Sequence, residues 1–201
     1  MEFKTVKEWD KPGSVRFRGE RLELRFKSRN EKAIAAYLSW LEDEETAAYM
    51  EQNGVEATAD SVFRELDKGI TGGNGQYERV DYDIVVKDKI IGSCMFAKYH
   101  EQPTAFLKVV IGKAEDRGNG YATEALELLI RHGFEQLNLH SFVMPIPSYS
   151  GEAFLMADKL DFMNIGFLPE TIWYAGEWFD TVYFQLRKEH YMEGTRDVYN
   201  S

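Results

Sequence analysis

Short segments in which hydrophobic and polar residues alternate recur along the chain, and each predicts a half-buried β-strand. In RLELRF, for example, Leu22, Leu24 and Phe26 would share one face. The predicted strands are 21–26, 82–88, 89–99, 105–112, 139–146 and the two arms of a hairpin around Ala175–Gly176. The second and third of these are joined by the two residues Lys87 and Asp88, which predicts a tight hairpin.

Four other segments repeat their apolar residues with helical spacing. These predicted helices are 28–45, 58–69, 120–137 and 151–167. Ser28 or Asn30 would cap the first helix, and the last would run into a stop at Gly166. Strands and helices in this mixed order, with neither a repeat nor a linker, predict one α+β domain over 21–191. Residues 1–20 are expected to be an irregular lead-in, and 192–201 a C-terminal tail.

Composition narrows the classes of function. The chain has 201 residues and a formal net charge of −10, so it lacks the cationic surface that nucleic-acid binding requires. The single cysteine, Cys94, allows no internal disulfide and is expected to be a buried hydrophobe. No signal sequence or membrane-spanning run is present, so a soluble, cytoplasmic protein is predicted. The four histidines are scattered, and no metal site is expected.

The segment 109–130, VVIGKAEDRGNGYATEALELLI, passes from a strand through a glycine-rich turn into a helix. Backbone N–H groups at a helix N-terminus attract anions, so such a turn can bind phosphate. Two common phosphate loops are excluded. The nucleoside-triphosphate loop needs a Gly-Lys-Ser/Thr sequence, and the dinucleotide loop needs Gly or Ala where Thr123 stands.

The sequence RGNGYA, 117–122, resembles the acyl-coenzyme A pyrophosphate loop of the GCN5-related N-acetyltransferase (GNAT) superfamily. That pattern is Gln/Arg, two residues, Gly, one residue, Gly/Ala. The resemblance extends over about 20–191, because the element order on both sides of the loop also matches. The segments 39–50 and 121–142 are similar to the branch that contains ribosomal-protein alanine N-acetyltransferases.

The resemblance implies a mostly antiparallel sheet of about seven strands flanked by four helices, with one splayed strand pair at the acyl-coenzyme A site. It also implies acetyl transfer from acetyl-coenzyme A to a primary amine, by direct attack in a ternary complex. The acceptor would be a protein N-terminus, or else an aminoglycoside, a polyamine or another small amine. The alternative from another class is a catalytically silent module that binds coenzyme A. The protein would act as a monomer or a homodimer.

The family's cofactor residues carry over onto two segments. The backbone of Val110, Ile111 and Gly112 would face pantetheine, and a backbone N–H near Val110 or Ile111 would stabilise the oxyanion. The pyrophosphate would meet the loop and the first helical turn, to which the Thr123 hydroxyl could add a contact. These loop residues are Arg117, Gly118, Asn119, Gly120, Tyr121, Ala122 and Thr123. The Tyr121 ring is expected to pack rather than to bind.

The general acid departs from the family pattern, which often places Asn after the strand and Tyr seven residues later. If KLDF, 159–162, stands for the usual Lys-Leu-Gly-Phe, these places fall on Ser150 and Ala157. If Gly166-Phe167 is the match, they fall on Leu155 and Phe162. Neither alignment supplies Asn or Tyr.

Ser148 and Tyr149 are therefore the candidate acids, although both could merely cap or pack the loop. The candidate bases are Glu101, Glu177 and Asp180, each of which could instead be a turn or surface residue. The acidic run 42–45 could attract a cationic acceptor or could simply end a helix in solvent.

Overall fold

The computed structural model describes residues 12–28, 30–50, 58, 77–99 and 102–199, and it contains one eight-stranded sheet. Its strands are β1 (Val15–Arg18), β2 (Glu23–Phe26), β3 (Tyr77–Val86), β4 (Lys89–Tyr99), β5 (Thr104–Ile111), β6 (Ser141–Pro147), β7 (Met163–Tyr174) and β8 (Glu177–Arg187). Their order across the sheet is β1-β2-β3-β4-β5-β6-β8-β7. Among the strands that the structure describes, only the neighbouring β5 and β6 run parallel. The predicted mixed, mostly antiparallel α+β fold is confirmed, with one strand more than expected.

Five α-helices lie in the described part of the chain. They are α1 (Glu31–Trp40), α2 (Glu44–Tyr49), α3 (Tyr121–Glu135), α4 (Gly151–Lys159) and α5 (Lys188–Tyr199). A short 3-10 turn, Ala114–Asp116, precedes the glycine-rich loop. The helix predicted over 58–69 lies outside the described residues, apart from Thr58. No helix that the structure describes is long and apolar enough to cross a membrane.

The helices cover both faces of the sheet. The main core joins α3 to the central strands, with Leu126, Leu129 and Phe142 almost fully buried. A smaller cluster under α1 contains Tyr37 and Trp40 and packs against Ile90. Ile91, the next residue of β4, belongs to the main core. Because neighbouring strand residues point to opposite faces, α1 and α3 lie on opposite sides of the sheet.

Strands β5 and β6 diverge, and this divergence positions the site. They pair only from Thr104–Ser141 to Phe106–Val143, within two strands that the structure describes in full. Farther along, β5 stays paired with β4, and β6 stays paired with β8. The sheet therefore opens a gap between the carboxyl ends of β5 and β6. β5 and β6 are therefore the splayed strand pair that the family resemblance predicts.

Several predicted boundaries were wrong for identifiable reasons. The supposedly irregular lead-in contains β1, and the supposed tail begins within α5. The helix predicted over 28–45 is two helices, because Asp43 accepts a hydrogen bond from the Thr46 N–H and caps a second one. Asn30, rather than Ser28, caps α1.

The helix predicted to reach Gly166 ends at Lys159, and Gly166 lies within β7. The chain changes direction between α4 and β7 at Asp161, whose φ of 59° is left-handed. Asp is among the few residues other than glycine that adopt this conformation readily.

Candidate active site

The glycine-rich loop ends in a helix N-terminus with free donors. Gly118 and Gly120 have φ values of 70° and 76°, a left-handed conformation that suits glycine. Within the described part of the chain, the backbone N–H groups from Gly118 to Thr123 take part in none of the hydrogen bonds found. A Cβ atom added at Gly118 would project into open space. The loop therefore presents a run of free backbone N–H donors, which is suited to a phosphate.

Arg21 holds this loop from the turn between β1 and β2. Its Nη1 donates to the Asn119 carbonyl at 2.8 Å, and its Nη2 donates to the Gly120 carbonyl at 3.4 Å. Its Nε lies 2.7 Å from Glu124 Oε2, and its backbone N–H donates to Glu124 Oε1 at 2.8 Å. Its guanidinium also lies over the Tyr121 ring, which packs against the core as expected.

Glu124 is buried next to this arginine. Burial alone would raise the pKa of its carboxyl, but the hydrogen bonds and the positive charge of Arg21 lower that pKa below its usual value. The carboxylate therefore stays ionised and holds the arginine. Sequence reasoning missed this pair, because its members are 103 residues apart and each is an ordinary charged residue in its own segment.

Arg117, which opens the family motif, directs its side chain towards α2. Its guanidinium lies 3.1 Å from Asp43 and 3.0 Å from Glu45, and it donates to the Thr46 hydroxyl at 2.6 Å. Its Nε donates to the Ile111 carbonyl at 3.2 Å. The side chain thus joins the loop to α2 and to the end of β5, while the cofactor role predicted for it remains a prediction.

Backbone direction along β5 distinguishes the three residues expected to face pantetheine. The Gly112 N–H donates to the Ile91 carbonyl, and Val110 pairs with Ser93 in the same register. Along an antiparallel pair, every second residue directs its N–H and C=O groups towards the partner strand. Val110 and Gly112 therefore direct these groups to β4, whereas Ile111 directs its N–H and C=O to the other side, towards the gap. Val109, which was not predicted, shares the direction of Ile111. The geometry therefore favours Val109 and Ile111 over Val110 and Gly112.

Tyr149 lies beyond the end of β6 in an aromatic group. Its ring centroid is 4.7 Å from that of Tyr174 and 5.0 Å from that of Phe179. Its hydroxyl is buried and has no hydrogen-bond partner among the described residues. Burial, followed by the negative charge of Glu45, raises the pKa of Tyr149 to about 12. The phenol is therefore protonated at neutral pH, and its proton is held more tightly than that of an exposed tyrosine.

Two of the other candidates, Ser148 and Asp180, have structural partners. The Ser148 hydroxyl accepts from the Asp180 N–H at 3.0 Å, which is the loop-capping role considered for it. Asp180 in turn accepts from the Glu170 N–H at 2.9 Å. Glu177 is exposed beside the β7–β8 turn, and Glu101 lies outside the described residues. Ser150 is the N-cap residue of α4, although its side chain makes no capping hydrogen bond.

The end of α4 distinguishes the two family alignments. Asp161 is left-handed, as the glycine of Lys-Leu-Gly-Phe would readily be, which favours the first alignment. The usual tyrosine position is then Ala157, which is fully buried and carries no proton donor.

Acidic residues of α2 border the same region. Desolvation, followed by the negative charges of Glu45, Glu44 and Asp43, raises the pKa of Tyr174. These carboxylates therefore act electrostatically on the aromatic group around Tyr149. Among the described residues, no cluster of His, Cys, Asp and Glu could hold a metal ion. Cys94 is buried, and its burial raises the pKa of the thiol.

Comparison with known proteins adds a family and a fold. Residues 21–148 match the model of the acetyltransferase (GNAT) domain. The chain is 24% identical over 144 residues to the uncharacterized N-acetyltransferase YnaD of Bacillus subtilis, covering 70% of this chain and 84% of that one. It is 29% identical over 175 residues to the uncharacterized N-acetyltransferase p20 of Bacillus licheniformis, covering 86% and 96%.

Two solved structures share the fold at low identity. One is the spermidine N-acetyltransferase of Vibrio cholerae in complex with coenzyme A and spermine, with a TM-score of 0.70 at 18% identity over 86% of this chain and 98% of that one. The other is RimL, a ribosomal L7/L12 α-N-protein acetyltransferase in complex with coenzyme A, with a TM-score of 0.69 at 15% identity over 87% and 98%.

Proposed function

Because the chain belongs to the GNAT family and is an N-acetyltransferase, we propose that it transfers acetyl from acetyl-coenzyme A to a cationic primary amine. The observation that carries the donor half is the row of free N–H groups from Gly118 to Thr123 at the start of α3. It lies at the end of β5, beside the gap that β5 and β6 leave open. A diphosphate at the loop and an extended chain in the gap fit this arrangement.

The residues have separate roles in this proposal. Acetyl-coenzyme A supplies an acetyl thioester, whose carbonyl carbon the amine nitrogen attacks. The Ile111 N–H, which points into the gap, stabilises the oxyanion. Tyr149 donates its proton to the sulfur as the carbon–sulfur bond breaks, because its hydroxyl lies just beyond β6 and has no hydrogen-bond partner among the described residues. A water molecule removes the proton from the ammonium. Of the candidate bases that the structure describes, Glu177 is exposed beside the β7–β8 turn and Asp180 accepts from the Glu170 N–H.

The acceptor half follows from charge. Asp43, Glu44 and Glu45 act on the aromatic group formed by Tyr149, Tyr174 and Phe179. A protonated amine is attracted both by carboxylates and by aromatic faces. The protein similar in fold from Vibrio cholerae was solved with spermine, which supports a polyamine as the first acceptor to test. A protein N-terminus is the second, supported by the fold of RimL.

Two measurements test the proposal. Calorimetric titration with coenzyme A should give saturable binding, and free thiol should be released from acetyl-coenzyme A when polyamines are added. The acceptor panel should also contain an aminoglycoside and a peptide with a free N-terminus. Coenzyme A binding without thiol release for any amine would instead support the silent binding module. The absence of coenzyme A binding would overturn the proposal as a whole.

Replacement of Tyr149 tests the assignment of the acid. Tyr149→Phe keeps the ring contacts and removes only the hydroxyl, so we expect kcat to fall about 100-fold, within the range for a general acid. KM for acetyl-coenzyme A should change little. Tyr174→Phe is the matched control, because it removes a neighbouring phenol of the same aromatic group. A Tyr149→Phe variant with the kcat of the wild type would show that the leaving sulfur needs no proton from this residue.

A further inference from the structure

The contacts of Arg21 point to a role in cofactor binding that depends on the proposed function. We infer that Arg21 is a positioning residue, which fixes the backbone of the glycine-rich loop so that its N–H groups converge on the coenzyme A pyrophosphate. It would do this without touching the reacting atoms. Its two hydrogen bonds to the loop both end on carbonyl groups, those of Asn119 and Gly120.

The planarity of the peptide bond explains how these contacts act on the other side of the loop. In a trans peptide the carbonyl of one residue and the N–H of the next point in opposite directions. Holding the Asn119 carbonyl therefore directs the Gly120 N–H away from Arg21, and holding the Gly120 carbonyl does the same for the Tyr121 N–H. These two N–H groups belong to the free donors of the loop.

Glu124 makes the arginine a fixed point. It receives both the Arg21 Nε, at 2.7 Å, and the Arg21 backbone N–H, at 2.8 Å. The turn comes this close because Gly19 lies against Glu124, where an added Cβ atom would approach Oε1 to 2.3 Å. Glu124 belongs to the first turns of α3, so the arginine joins the loop to the helix that follows it.

Only a planar fork of donors can make these contacts together. The arginine guanidinium presents separate N–H groups at fixed angles, whereas a lysine ammonium is one point charge on a flexible stem. A lysine at position 21 would keep the charge but could not hold Glu124, Asn119 and Gly120 at once. If Arg21 positions the loop, Arg21→Lys should lose coenzyme A affinity. If Arg21 only attracts the anionic cofactor, Arg21→Lys should retain that affinity.

The test compares coenzyme A affinity among charge-matched variants. We expect Arg21→Met to weaken coenzyme A binding by about 10- to 100-fold, since small displacements of positioned groups have effects of this size. Arg21→Lys should be weakened nearly as much. Arg18→Met is the control for charge, because Arg18 is the exposed last residue of β1, next to the same turn, and pairs with Glu23 rather than with the loop. Its affinity should stay within about threefold of the wild type.

Kinetics and independent variants separate positioning from a loss of fold. KM for acetyl-coenzyme A should rise while kcat stays within about twofold, because the acetyl group lies away from Arg21. Glu124→Gln and Gly19→Ala disturb the same anchor with Arg21 retained, and each should also raise KM. Their coenzyme A affinity can be measured even if Arg21→Met fails to fold.

Three outcomes would overturn the inference. One is wild-type affinity in Arg21→Met, another is an equal loss in Arg18→Met, and the third is full rescue by Arg21→Lys. Wild-type protein that does not bind coenzyme A would count against the proposed function instead.

Discussion

At the scale of single residues, Gly120 combines a left-handed conformation with a position at the expected pyrophosphate. Its φ is 76°, and an added Cβ atom would lie 3.3 Å from Arg21 Nη2. We expect Gly120→Glu to abolish coenzyme A binding, because the new side chain brings bulk and negative charge to an anion site. Calorimetric titration of the folded variant measures this loss.

The matched control is Gly176→Glu, at the β7–β8 turn. Gly176 also has a left-handed φ, of 84°, and an added Cβ atom there meets nothing within 4 Å. This variant carries the same backbone strain and the same charge but should bind coenzyme A like the wild type. Equal affinity in the two variants would argue against the assignment of the loop.

Asp83 is a buried carboxylate away from the expected cofactor. It accepts hydrogen bonds from the Tyr37 hydroxyl and, at 2.9 Å, from the Ser28 N–H. Burial raises its pKa to about 6, despite these bonds and the nearby positive charge of Lys27. The folded protein therefore holds a proton here at pH values where the unfolded chain, with a pKa of about 4, has released it.

This difference predicts a pH dependence of stability. The contribution of Asp83 should be fully present below about pH 4 and should be lost as the pH rises through about 6, by up to about 3 kcal/mol. Asp83→Asn removes this titration. Between about pH 4 and 6, the free energy of unfolding of the wild type should therefore fall relative to that of the variant. Urea unfolding at several pH values measures this difference, and Asp88→Asn, at the exposed hairpin turn, is the control. Parallel pH profiles for the wild type and Asp83→Asn would contradict the prediction.

At the scale of elements, Arg117 connects α2 to the end of β5, in addition to the hydrogen bond from the Thr46 hydroxyl to the Gly112 carbonyl. It contacts Asp43, Glu45 and Thr46 of the α2 region as well as the Ile111 carbonyl. Arg117→Met should lower the free energy of unfolding by about 1–3 kcal/mol, as expected for partly buried charged hydrogen bonds. The amides of α2 should also exchange faster with solvent.

Arg131→Met is a suitable control for this variant, since Arg131 is an exposed residue of α3. Hydrogen exchange followed by mass spectrometry resolves α2 from the remaining helices. Unchanged protection of α2 in Arg117→Met would mean that its packing, rather than its ion pairs, holds it in place.

Local patterns explain which elements could be predicted. The turn into α3 was predictable because the strand, the glycines and the helical repeat adjoin one another in the sequence. β1 has no clear local pattern, because Pro12, Gly13 and Gly19 surround a four-residue strand that is stabilised by pairing with β2 and by packing of Phe17 on the core. The end of α4 was misplaced because Asp161 adopts a conformation usually assigned to glycine.

The site divides in the same way. The backbone donors of the loop follow from its motif, but the direction of each β5 residue depends on its register with β4. The sequence alone therefore does not distinguish Val109, whose backbone groups share the direction of those of Ile111, from Val110. The contacts of Arg21 with the loop and with Glu124, and those of Arg117 with α2 and its cap, join segments that are 71 to 103 residues apart, and no local pattern signals them.

At the scale of the whole molecule, the net charge of −10 should influence the acceptor. Attraction of a polycation to such a surface weakens as salt shortens the Debye length, from about 10 Å at 0.1 M to about 3 Å at 1 M. We therefore expect KM for spermine to rise several-fold across this range. A small monoamine should show a weaker effect, and identical salt profiles for the two amines would contradict electrostatic selection.

The anchoring of the loop by Arg21 also has a consequence for folding. Arg21 and Glu124 lie 103 residues apart. The anchored form of the glycine-rich loop therefore cannot form until β2 has joined the sheet and α3 has packed on it. A partly folded chain would contain the glycine-rich loop, but Arg21 would not yet hold the loop in its binding conformation. Since a ligand that binds only the folded state stabilises that state, coenzyme A would selectively protect chains whose distant halves have already assembled.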